Sequence, residues 1–219
     1  MSKKRDKKAV IIGNGNTDLL TNGKIDISNF EYCLILDSAI INFYNSNINK
    51  IPDALLGDFD RDFDQNHWKN IYTNIEIIHA PDQEKTDFEK GIEYLIEQDF
   101  TYILGLGLTG KRMDHTFNNI SSLAKYNHKI AIEILDEYST IYCIDDSKYF
   151  EKLLDKNTII SLLPIGKVEG ITTQNLDYNL TNENLELGIR TGSSNMVTST
   201  NLVTISISKG KLIIMECHD

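Results

Sequence analysis

Through roughly the first 130 residues the apolar positions fall in short runs: Ala9-Val-Ile-Ile12, Tyr32-Cys-Leu-Ile-Leu36, Ala54-Leu-Leu56, Ile75-Glu-Ile-Ile78 and Tyr102-Ile-Leu104. Each run stops at or soon before Gly, Asp or Asn, as expected of buried strands with loops at their carboxyl ends. Between them Phe88, Ile92, Leu95 and Ile96 are spaced to build one helical face, and Thr86 with Glu89 matches a capping box that starts the helix. Phe117, Ile120, Leu123 and Ala124 suggest the apolar face of a second helix opening after Asp114. Strands alternating with helices predict an α/β layer with a largely parallel, Rossmann-like sheet. Near residue 129 the helical period fades into β-branched segments: Ile130–Ile134, Thr140–Ile144 and Thr158–Leu163. Leu202–Ser208 then alternates cleanly, and Lys209-Gly210 reads as the turn of a hairpin into Lys211–Met215. The predicted organisation is an α/β domain over 1–128 and an all-β sandwich over 129–219.

Charge refines this picture. The 219-residue chain carries a formal net charge of −10. Residues 53–97 alone hold twelve acidic against four basic side chains, a net of −8. A field of that sign opposes a phosphodiester backbone unless cations intervene, which argues against nucleic-acid binding. No apolar run approaches the roughly 20 residues that cross a bilayer. The basic start is followed only by Ala9–Ile12, too short for a signal-peptide core. Cys33, Cys143 and Cys217 are odd in number and far apart, so reduced thiols in a cytoplasmic protein are expected, without a disulfide framework or zinc site.

Three segments carry candidate chemistry. Gly57-Asp-Phe-Asp60 follows a predicted strand, and its two carboxylates can converge on a hard cation such as Mg²⁺; the same spelling also describes a solvated acidic turn. Pro81-Asp-Gln-Glu-Lys-Thr-Asp87 joins a strand end to a helix start, where free N–H groups favour anions; Lys85 can reach a phosphate and Asp87 a metal. Capping by Thr86 is compatible with either role. Gly105-Leu-Gly-Leu-Thr-Gly110 satisfies G-x-G-x-x-G between a strand and a helix and, taken alone, supports a dinucleotide loop. Arg112 beside it suits a polyphosphate better, because a guanidinium grips phosphate oxygens bidentately. A tight turn with an Arg112–Asp114 ion pair is the plain alternative. Gly13-Asn-Gly-Asn16 lacks the third glycine of a nucleotide fingerprint, and His67, His79, His128 and His218 are isolated.

Taken together these segments resemble the thiamine pyrophosphokinase family. The likeness runs through Pro52–Asp60, Asp82–Asp87 and Gly107–His115, then Leu163–Gly166, Thr172-Thr173, Asn175–Leu180 and Ser194-Asn195. The resemblance implies an α/β domain that binds ATP, a β-sandwich domain that binds thiamine, and a homodimer with the active site at the subunit interface. It implies transfer of the intact pyrophosphoryl group from ATP to the thiamine hydroxyl, releasing AMP. Asp58, Asp60 and Asp87 would then hold Mg²⁺. Asp37, Gln83, Lys85, Thr86, Gly110 and Arg112 would serve ATP, with Arg112 and Asp114 also at the reacting groups. Tyr178 would stack on thiamine, with Ser194 and Asn195 in the same pocket.

The chain departs from the family at several places. Asp37-Ser38-Ala39 stands where Asp-Gly-Gly is usual, and Arg61 where serine is common. Asn175 replaces a usual glycine, and Tyr178 stands where tryptophan is frequent. The Ser38-Ala39 and Arg61 departures motivate a second reading, a thiamine- or nucleotide-binding sensor without catalysis. A dinucleotide-dependent oxidoreductase using Gly105–Gly110 is a third.

Overall fold

The computed structural model describes residues 6–23, 25–59 and 63–218. Its contacts divide the chain into two compact units. One takes the chain up to Ser122 together with Lys129–Asp136, and the other takes Leu123–His128 with Glu137 onwards.

The first unit is built on six parallel strands. They are β1 (Lys8–Ile12), β2 (Tyr32–Leu36), β3 (Ala54–Gly57), β4 (Glu76–His79), β5 (Tyr102–Leu106) and β6 (Ala131–Leu135), in the spatial order β6-β5-β1-β2-β3-β4. Every apolar run named above is one of these strands, and the central ones are buried on both faces. Helices α1 (Asp18–Thr21), α2 (Ala39–Tyr44), α3 (Gln65–Ile71), α4 (Asp87–Glu97) and α5 (Met113–Tyr126) connect them. The capping box that starts α4 is present: Thr86 Oγ1 accepts from Glu89 N at 3.3 Å, and Glu89 Oε2 accepts from Thr86 N at 3.4 Å. Gly91 lets α4 lie close on the sheet, since a Cβ there would stand 3.2–3.4 Å from Leu36, Leu34 and Ile11. Trp68 is buried in the core, edge-on to Tyr44.

Three local expectations change. Phe117 does not join the buried face of α5; with Met113 it is exposed, 64% and 67%, while Thr116, Asn119 and Leu123 turn inward. The buried polar side chains have partners to meet: Asn119 Nδ2 donates to Leu108 O at 2.7 Å and Thr116 Oγ1 to Arg112 O at 3.3 Å. Ile130–Ile134, expected to open the β domain, falls instead mostly in β6, which pairs parallel with β5. The predicted hairpin between Leu202–Ser208 and Lys211–Met215 does not form.

The second unit explains that last difference. It has one sheet in the order β12-β9-β14-β7 and another in the order β11-β10-β13-β8. The strands are β7 (Ser139–Asp145), β8 (Phe150–Leu154), β9 (Ile159–Pro164), β10 (Lys167–Gln174), β11 (Glu183–Glu186), β12 (Gly192–Met196), β13 (Asn201–Ser206) and β14 (Lys211–Cys217). The two segments flanking Lys209-Gly210 are therefore in different sheets: β13 pairs with β10 and β8, and β14 with β7 and β9. Gly210, at φ 112°, lets the chain cross from one sheet to the other while Lys209 bridges to Glu169. Both sheets send inward side chains into one apolar core that includes Ile160, Leu162, Val168, Ile171, Val203, Ile205, Leu212 and Ile214. The last turn of α5 is held here by two cations: Lys148 donates to Asn127 O and Lys211 to Ala124 O. Lysines at a helix carboxyl end satisfy orphan carbonyls and oppose the dipole. Of the three free cysteines, Cys33 is buried and Cys143 and Cys217 are half-buried. No helix among the described residues is long and apolar enough to cross a membrane.

Candidate active site

In the first unit the chain runs outward from β1 through β2 and β3 to β4, then returns to place β5 on the other side of β1. Where the winding reverses, between β1 and β5, an open sheet of this kind leaves its crevice at the strands' carboxyl ends. A cavity of about 490 Å³ lies at this end of the sheet.

Two glycine loops form its floor. Gly13 N donates to Leu106 O at 2.8 Å, Gly15 N to Gly107 O at 2.6 Å, and Asn16 N to Thr109 O at 2.7 Å. The contact is backbone on backbone: a Cβ on Gly15 would stand 2.2 Å from Thr109 O and 2.7 Å from Gly107 O. Thus Gly13-Asn-Gly, which carried no role in the sequence reading, lines the cavity beside Gly107 and Gly110. Its significance arises only because β1 and β5 are neighbours. Gly105 lies within β5 and not in the loop, so the G-x-G-x-x-G spelling serves strand packing and loop pairing.

The other walls bring together most of the sequence candidates. Asp37, Asp58, Gln83, Lys85, Thr86, Asp87, Gly110 and Arg112 all line this cavity. Gln83 Nε2 donates to Asp58 Oδ2 at 2.8 Å, and this hydrogen bond, with smaller help from Lys90 and His79, holds the Asp58 carboxyl below its ordinary range. Phe59, at φ 48°, tightens the turn after Asp58 and stacks between Phe63 and His79. Asp87 Oδ1 meets Lys90 Nζ at 3.1 Å, and Lys85 meets Glu93 at 2.7 Å and Asp82 at 3.6 Å. Arg112 pairs with Asp114 through both nitrogens of its fork, with Nε to Oδ1 at 3.1 Å. That hydrogen-bonded guanidinium pulls the Asp114 carboxyl down to about 2. Of the two residues that depart from Asp-Gly-Gly, Ala39 is buried, and Ser38 Oγ accepts from Asn14 Nδ2 at 2.9 Å. Ser38, Lys111 and His115 also line the cavity and were not among the sequence candidates. Asp60 and Arg61 lie outside the described residues.

The donor chemistry suits a hard cation. Asp58 and Asp87 offer oxygens to one cavity, and Asp37 lines it too. Among the described residues no cluster of three His, Cys, Asp or Glu side chains converges, so a cation here would draw further ligands from water and substrate phosphates.

The second unit presents its candidates differently. Tyr178 is 78% exposed in the loop between β10 and β11. Asn195 is buried, and its carboxamide makes three hydrogen bonds to backbone. Oδ1 accepts from Tyr178 N at 3.1 Å and Met196 N at 2.9 Å, and Nδ2 donates to Tyr178 O at 2.7 Å. Ser194 stands at φ 58° with its N–H bonded to Ser161 Oγ at 3.0 Å. Asn175, at the position where the family usually has glycine, takes φ 66°, a left-handed conformation that asparagine tolerates, and Nδ2 donates to Leu202 O at 2.8 Å.

Comparison with known proteins follows this division. A family model described as thiamin pyrophosphokinase, catalytic domain, matches residues 26–135. A second, described as thiamin pyrophosphokinase, vitamin B1 binding domain, matches residues 147–212. Thiamin pyrophosphokinase 1 of Caenorhabditis elegans is 29% identical over 167 residues, covering 72% of this chain and 67% of that protein. Thiamine pyrophosphokinase of Bacillus subtilis (strain 168) is 28% identical over 177 residues, covering 77% and 80%. In fold, the chain superposes on a crystal structure of thiamine pyrophosphokinase from Bacillus subtilis with a TM-score of 0.82 at 24% identity, covering 97% of this chain and 100% of that one. Yeast thiamin pyrophosphokinase gives a TM-score of 0.76 at 18% identity, covering 99% and 88%.

Proposed function

The chain belongs to the thiamin pyrophosphokinase family, and we infer from this that it transfers the pyrophosphoryl group of ATP to the hydroxyl of thiamine, giving thiamine diphosphate and AMP. The observation that carries the inference is the convergence of Asp58, Gln83, Lys85, Asp87 and Arg112 on one cavity at the switch point of the sheet. The sensor and oxidoreductase alternatives gain no support from the comparisons.

Attack of the alcohol oxygen on the β-phosphorus breaks the phosphorus bond to the oxygen that leaves with AMP, and the alcohol proton passes to solvent. Charge builds on phosphate oxygens, so catalysis consists of in-line positioning and electrostatic stabilisation. In this chain Lys85 and Arg112 hold phosphate oxygens, Gln83 fixes the Asp58 carboxylate, and Asp114 orients the Arg112 fork. Asp37, Thr86 and Gly110 complete the nucleotide wall. Asp58 and Asp87, with Asp60, are the residues that would hold Mg²⁺; when bound, the cation neutralises phosphate charge that the acidic walls would otherwise repel. Tyr178 stacks on thiamine, supported by its exposure, with Ser194 and Asn195 beside it. A homodimer with its active site at the subunit interface, and a cytoplasmic location, belong to the same proposal.

Incubation with thiamine, ATP and Mg²⁺ is expected to form AMP and thiamine diphosphate in equal amounts, and chelation to stop the reaction. ADP as the sole nucleotide product would overturn the assignment.

A further inference from the structure

Four cationic side chains line the cavity, and three of them face carboxylates. Lys85 is paired with Glu93 and Asp82, Lys90 with Asp87, and Arg112 with Asp114. The fourth, Lys111, meets only neutral oxygens among the described residues: Asn14 O at 3.0 Å and Asn14 Oδ1 at 3.5 Å. A paired cation offers a polyanion little net charge until the pair is separated. An ammonium resting on neutral oxygens gives up uncharged acceptors and gains a charged one, which makes the stronger hydrogen bond.

Two further observations show that this placement is built. Lys111 has φ 51°, directly after Gly110 at φ 74°. A left-handed backbone is unfavourable for a residue with a Cβ, and such strain persists where the surroundings over-determine it. The receiving group is also fixed. Asn14 Nδ2 donates to Ser38 Oγ at 2.9 Å, and Asn14 Oδ1 accepts from Asn42 Nδ2 at 2.6 Å. Asn14 therefore joins the first glycine loop, the start of α2 and the Lys111 ammonium at the cavity wall.

We propose that Lys111 is a further phosphate-binding residue of this cavity, held on Asn14 until a polyphosphate enters and then passing its ammonium from the Asn14 oxygens to a phosphate oxygen. Asn14 is its positioning residue. The proposal rests on the reading of the cavity as the ATP site and adds a cation to it.

Titration calorimetry with inorganic tripolyphosphate, and separately with ATP, tests this on the full chain at low and at physiological salt. Lys111→Gly removes the charge and relieves the backbone, since glycine takes a positive φ freely. It is expected to bind tripolyphosphate about tenfold more weakly, with a shallower salt dependence, at an unchanged or raised melting temperature. Lys111→Arg is expected to stay within about threefold of the parent, as the charge is kept. Undiminished tripolyphosphate affinity in Lys111→Gly would overturn the proposal. Equal loss in both variants, or a lowered melting temperature in Lys111→Gly, would also overturn it by making Lys111 a shaper of the loop. Tripolyphosphate carries neither nucleoside nor thiamine, so this outcome is independent of whether the parent protein makes thiamine diphosphate.

Discussion

In the first unit the candidate side chains reach one cavity from separate loops at the carboxyl ends of parallel strands, and most are already engaged in ion pairs or hydrogen bonds. In the second, Tyr178 stands exposed in a loop, and the Asn195 carboxamide binds the Tyr178 and Met196 backbone. Under the proposed function, the difference follows from what each surface would have to recognise. A triphosphate is read by charge, which many side chains can supply if loops converge. A flat aromatic substrate is read by one ring face, and the problem becomes holding that ring still with backbone bonds. Charge recognition therefore spreads over many residues, and stacking recognition concentrates in one and its supports.

The largest expected effect tests the charged side. Asp58→Asn keeps the shape and the Gln83 contact within reach but removes a carboxylate, and turnover should fall by a factor on the order of 10² to 10³. Circular dichroism and melting temperature should stay close to the parent. Turnover near that of the parent would remove Asp58 from the reaction.

Gly15→Ala probes the floor beneath those charges. Its Cβ would stand 2.2 Å from Thr109 O, a backbone atom that cannot swing aside. Overpacking of this kind costs about 1–3 kcal/mol, and a drop in the denaturation midpoint should accompany weaker ATP binding. If stability and ATP affinity both hold, the two loops are not packed as described.

On the neutral side, Tyr178→Ala should raise the thiamine KM about tenfold while leaving the ATP KM in place, and Tyr178→Trp should restore it. Asn195→Ala sharpens the point. If Asn195 acts through the Tyr178 backbone, the double variant should lose little beyond Tyr178→Ala alone. Additive losses would instead make Asn195 a direct contact.

The smallest effect is electrostatic. The Arg112 guanidinium lowers the Asp114 carboxyl to about 2, against an ordinary value of 3.8. A depressed carboxylate contributes above its unfolded value, and its contribution fades as pH falls from about 4 towards 2. The Asp114 side-chain carbon resonance should therefore titrate near 2, and near 4 in Arg112→Ala. Both groups are exposed, so global stability should barely change.

How much of this was legible in the sequence depends on how local the signal is. The capping box of α4 is a four-residue pattern, and it is present as spelled. The acidic, Lys and Arg positions of the cavity could be placed because each follows a strand, and parallel strands put such loops at one end. The partnership of Gly13-Asn-Gly with Gly107–Gly110 was not legible, because the segments are about 90 residues apart and meet only through β1–β5 pairing. Lys209-Gly210 reads as a hairpin turn because clean alternation fits a strand in either sheet, and period 2 does not name the partner. Phe117 reads as part of the buried face because helical spacing favours the apolar residues. The inward face of α5 instead carries Asn119, whose task is to bind Leu108 O.

The central claim is that the pyrophosphoryl group moves intact. With thiamine, Mg²⁺ and ATP labelled at the β-phosphorus, all transferred label should appear in thiamine diphosphate and none in the AMP released. Label retained in ADP, or thiamine monophosphate as the first product, would contradict it.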